Sequence, residues 1–102
     1  MASRREQLES LIQDSPDDTF LLYGLAMEYV KEGETEEGLA RLKDVTEKDP
    51  DYQAAYFQIG QLLADEGEID EAQDWLTRGV DAAKRTGNIH AAEEMQTFLD
   101  SL

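Results

Sequence analysis

The sequence contains no cysteine, which excludes disulfides, thiolate nucleophiles and Cys-based metal sites. Its one histidine, His90, has no second histidine or cysteine with which to share a metal, and it reads as a surface residue. No serine or threonine has a histidine to activate it other than His90, and no glycine-rich phosphate loop occurs. The longest apolar run, Phe20 to Val30, contains Glu28 and is too short to span a bilayer. At the start, Met1-Ala2-Ser3-Arg4-Arg5 is followed by the polar segment Glu6 to Asp14, where a signal peptide needs an apolar stretch. A soluble, cytoplasmic protein is the expectation. Positive charge is also scarce: 9 Lys and Arg stand against 24 Asp and Glu, a formal net charge of −15. Such a field repels phosphate backbones and anionic membranes, which argues against nucleic-acid and membrane partners. The acids are spread along the chain without a long block. A solvated coat, suited to high internal salt, is the favoured reading, and an acidic face that steers a basic partner is the alternative.

What is present is a repeat. Hydrophobic residues make up 40% of 102 residues, enough for one small folded domain. In the segment 54–80, Tyr56, Ile59, Gly60, Leu63, Ala72 and Leu76 recur at helical spacing on both sides of Gly67, which reads as two antiparallel helices joined by a tight turn. The same pattern occurs 34 residues earlier: Leu25 matches Ile59, Ala26 matches Gly60, Gly33 matches Gly67, Gly38 matches Ala72 and Leu42 matches Leu76. A fixed period of this size predicts a helical repeat array, a class that serves mostly as binding surface.

Taken in order, Ser3-Arg4-Arg5-Glu6 is a capping box that opens a short helix over 3–14. Leu8, Leu11 and Pro16 lie 34 before Leu42, Val45 and Pro50, so this helix is the second half of a repeat and is expected to act as an N-terminal lid. Ser15 is the expected N-cap of a second helix that continues to Glu32 and is apolar nearly all round. A third helix spans Thr35 to Lys48, a fourth ends at Glu66, a fifth runs from Asp70 to Arg85, and a sixth follows Asn88. Gly38 and Gly60 are expected where the hairpins cross, opposite Ala26 and Ala72; leucine at Gly60 or Ala72 would overpack the crossing by roughly 1–3 kcal/mol. The expected architecture is all-α, a single domain over 1–102: the lid at 3–14, repeats at 19–52 and 53–86, and a C-terminal capping helix at 88–102.

The order Tyr56-x-x-Ile59-Gly60-x-x-Leu63, Ala72-x-x-x-Leu76, with its earlier copy Leu22-x-x-Leu25-Ala26-x-x-Tyr29, Gly38-x-x-x-Leu42, Pro50, resembles the tetratricopeptide repeat (TPR). Lys84 in place of proline and Gly79 in place of a small apolar residue depart from that pattern. The resemblance implies an α-solenoid of about six helices in which the first helix of each repeat lines a concave, peptide-binding groove. By position it places Phe20, Tyr23, Gly24, Met27 and Lys31 on that groove, joined by Phe57, Gln58, Gln61 and Asp65. The family's carboxylate clamp of lysine, asparagine and arginine is missing, since Tyr23, Met27, Phe57 and Gln61 hold those sites. An EEVD-type chaperone tail therefore fits poorly, and an apolar or basic segment of a protein partner fits better.

The reading is of a non-catalytic interaction module, with no cofactor and no metal. A self-assembly module is the alternative, homo-oligomerising through a seam of Ala91, Met95, Phe98 and Leu102 on the last helix. Tyr23, Met27 and Phe57 fit a covered core as well as a groove. Trp75 reads as an inter-repeat packing residue. The acidic clusters around Gly33 and Gly67 do not follow calcium-loop spacing and read as solvated turns.

Overall fold

The computed structural model describes residues 2–102. Six helices are formed, with no strand among the described residues: α1 (Arg4–Asp14), α2 (Thr19–Lys31), α3 (Thr35–Lys48), α4 (Gln53–Asp65), α5 (Ile69–Arg85) and α6 (Ile89–Asp100). Contacts divide the chain into two compact units, one ending at Asp49 and the other spanning Pro50–Leu102. In the first, α2 packs against α1 and α3; in the second, α5 packs against α4 and α6.

The first unit begins with the capping box. Ser3 Oγ accepts the Glu6 N–H at 3.1 Å, and Glu6 accepts the Ser3 N–H at 3.5 Å. Ser15 closes α1 rather than opening α2: its N–H donates to the carbonyls of Leu11 and Ile12, both at 3.1 Å. Asp18 is the N-cap of α2, its carboxylate accepting the N–H groups of Phe20 at 3.0 Å and Leu21 at 3.3 Å. Ser15, the expected N-cap, lies too early in the chain, because Pro16 and Asp17 form the turn itself and do not enter the helix. Gly33, at φ 85°, reverses the chain, and the Glu34 N–H donates to the Tyr29 carbonyl at 2.9 Å. Leu8, Leu25, Ala26, Leu42 and Val45 form the buried interior. A Cβ on Gly38 would lie 2.5 Å from Val30 Cγ2 and 3.1 Å from the Ala26 carbonyl, so α2 and α3 touch nearly backbone to backbone here.

In the second unit Tyr56, Leu76, Val80, Ala82, Ala83, Ala92 and Met95 form one buried cluster. Gly60 faces Leu76 rather than Ala72, since a Cβ there would lie 2.5 Å from the leucine Cγ. Gly79 marks the place where three helices meet: a Cβ on it would approach Met95 of α6 to 2.6 Å and Tyr56 of α4 to 2.7 Å.

The two units repeat one another in detail. Asp17 accepts from Lys48 at 2.9 Å, and Asp51, 34 residues later, accepts from Arg85 at 2.9 Å. Each pair ties the turn ahead of a hairpin to the end of that hairpin's second helix. The period then lengthens. α5 has 17 residues against 14 in α3, which carries Lys84 inside a helix where proline was expected. α6 consequently starts 36 residues after α4, and at that step buried Ala92 and Met95 correspond to buried Tyr56 and Ile59. α6 thus packs in the register of a repeat's first helix.

Candidate functional site

Each unit carries a cleft on its first-type helix. In the first unit α2 presents Phe20, Tyr23, Gly24 and Met27 to a cleft of about 220 Å³, completed by Glu28 and by Arg4 and Leu8 of α1. Arg4 and Glu28 are ion-paired there at 2.9 Å. Phe20 is 72% exposed, a large apolar surface at the start of a helix. Tyr23 and Met27 are half-buried. The structure therefore brings together Phe20, Tyr23 and Met27 of the expected groove, while Lys31, the last residue of α2, is exposed and stands outside this cleft. Beside the buried Leu8, ion pairs tie α1 to α2 and to the turn that follows it. Arg5 donates to Glu32 at 2.8 Å and Glu34 at 3.1 Å, and its guanidinium lies 4.7 Å from the centre of the Tyr29 ring. The hydrogen bond to Glu32 is the main cause that raises the Arg5 pKa above its ordinary value.

In the second unit a larger cleft, about 550 Å³, lies along α4 and α6. Phe57 of α4 and Phe98 of α6 line it, their ring centres 6.1 Å apart and tilted by 52°. His90, Glu93, Glu94, Thr97 and Ser101 complete the lining, and His90 Nε2 is paired with the Glu94 carboxylate. Gln58 and Gln61 are half-buried, Asp65 is exposed, and none of the three lines either cleft. Of the residues expected to form a seam on α6, three are half-buried and one is covered. Met95 is fully buried, and Ala91, Phe98 and Leu102 pack against the same core. Trp75 lies 5.9 Å from Tyr56, and the Arg78 guanidinium stacks 4.0 Å from the Trp75 ring centre.

The family model of the tetratricopeptide repeat matches residues 29–95. The chain belongs to the tetratricopeptide repeat family. It is 29% identical over 97 residues to a TPR repeat-containing protein of Pseudomonas aeruginosa, covering 95% of this chain and 92% of that protein. Among solved structures, a tetratricopeptide repeat domain protein from Salinibacter ruber superposes with a TM-score of 0.80 at 30% identity, over 84% of this chain and 87% of that one. Protein BPP2914 from Bordetella parapertussis does so with a TM-score of 0.83 at 26% identity, over 99% and 88%. The TPR motif residues Leu25, Ala26, Leu42, Ile59, Gly60, Leu63, Ala72 and Leu76 are all buried. They build the TPR core, so specificity must come from the side chains between them. TPR folds generally mediate protein–protein interaction and are typically non-catalytic. Among the described residues no helix is long and apolar enough to cross a membrane, and no three metal-ligating side chains converge.

Proposed function

We propose that this TPR protein binds another protein, without catalysis, through the side chains that α2 leaves uncovered in one unit and α4 in the other. The observation that carries this reading is the placement of large apolar groups beside open clefts: Phe20, Tyr23 and Met27 in one unit and Phe57 in the other. Aromatic anchors of this kind dominate binding energy where they enter a desolvated contact. Gln58 and Gln61 offer amides to a bound backbone. Lys31 is the only cation on these two helices, and the chain carries −15 overall, so an apolar or basic segment is the preferred ligand. The preformed helices limit the ordering cost to that of the partner.

The test is a pull-down from source-cell lysate with the wild type and a Tyr23→Ala, Phe57→Ala double variant of unchanged helicity. A protein retained by the wild type and lost by the variant is expected. Equal capture by both baits, or recovery of the chain alone, would overturn the assignment to α2 and α4.

A further inference from the structure

We infer that the α4–α6 cleft takes a bulky apolar side chain flanked by lysine or arginine, from a basic polypeptide segment. This rests on the protein-binding reading above and adds a place and a chemistry to it. The floor of the cleft is aromatic, with Phe57 and Phe98 half-buried and open to a third apolar group. About 550 Å³ exceeds the volume of one large side chain and admits the residues beside it. Glu93 and Glu94 stand on its lining, and both are exposed.

Among the described residues the walls of this cleft carry no lysine or arginine. Neither α4 nor α6 contains a lysine or arginine, and the one ionisable base on the lining, His90, is already paired with Glu94. Of the three lysines and arginines of the second unit, Arg78 stacks on Trp75 and Arg85 bonds Asp51, while Lys84 stands with Glu93 on the lining of a second cleft between α5 and α6. With eleven Asp and Glu against three Lys and Arg over 50–102, a formal −8, the unit attracts a basic occupant and repels a second copy of itself. Thr97 and Ser101 donate their hydroxyls to the Glu93 and Phe98 carbonyls, which leaves hydroxyl oxygens to accept at the rim.

A displayed library of random twelve-residue peptides, selected on the whole chain, tests this. Selected peptides should carry Leu, Met, Phe or Trp within two positions of Lys or Arg. By fluorescence anisotropy their binding should weaken roughly tenfold on Phe98→Ala. It should weaken similarly on Glu93→Gln, Glu94→Gln, a pair of exposed substitutions that leaves the fold intact, and it should fall with added salt. Neutral or acidic peptides, or basic ones indifferent to both variants, would overturn the inference. Should such peptides respond instead to Tyr23→Ala, the protein-binding reading stands and this cleft is not their site. A library that yields no peptide would count against both.

Discussion

Gly79 shows how one missing side chain sets the packing of three helices. The Tyr56 Cβ, 2.7 Å from where a Cβ would stand, belongs to a buried residue that cannot swing aside, unlike the flexible end of Met95. Gly79→Val should therefore destabilise by about 1–3 kcal/mol, read as a lower midpoint in urea. Gly24 is the opposite case. Its nearest neighbour is Leu8 Cδ2 at 3.5 Å, an ordinary contact, so Gly24→Ala should gain helix propensity and stabilise by up to about 1 kcal/mol. The sequence distinguished these glycines only in part. Gly38 and Gly60 were legible as close crossings because the 34-residue step aligned them with small partners. Gly79 reads in the sequence only as a departure from the repeat pattern, because its contacts with both Tyr56 of α4 and Met95 of α6 are not carried by the 34-residue step.

At the scale of the helix, end chemistry decides what the sequence reveals. Gly33, Gly67 and Gly87 all take positive φ, as expected of residues that end helices, whereas Ser15 and Asp18 compete for one N-cap and only geometry separates them. Asp18→Ala should cost about 0.5–2 kcal/mol, and Ser15→Ala should cost less, a comparison that thermal melts followed by circular dichroism can make. α1 buries only Leu8 and is otherwise tied by Arg4–Glu28 and by Arg5 with Glu32 and Glu34. Its amides should exchange faster than those of α4 and α5, and faster still at high salt. The Lys48–Asp17 bridge gives a pH signature. Its hydrogen bond raises the lysine pKa above the ordinary value, so its contribution is complete below that value and disappears as pH rises through the raised one. The difference in melting temperature between wild type and Lys48→Gln should be constant near neutral pH and vanish in strong alkali.

For the whole molecule, the fold was legible because the repeat states it twice, and the α4–α6 cleft was not. Phe98 and Glu93 carry no motif. They face Phe57 only because α5 is three residues longer than α3 and shifts α6 to a step of 36. Charge at this scale also makes a prediction. A formal −15 on 102 residues repels itself, so added salt should raise the melting temperature; a flat or falling response would argue against an acidic coat under strain. Partner binding is proposed on the uncovered side chains of α2 in one unit and of α4 in the other. Amide shift mapping of the labelled chain, titrated with a segment of the captured partner, tests it most directly. The largest shifts are predicted at Phe20, Tyr23, Met27, Phe57, Gln58 and Gln61, and across the α4–α6 cleft at Glu93, Glu94 and Phe98. Shifts confined to α3, to the outward positions of α5, or to the turns at Gly33 and Gly67 would contradict it.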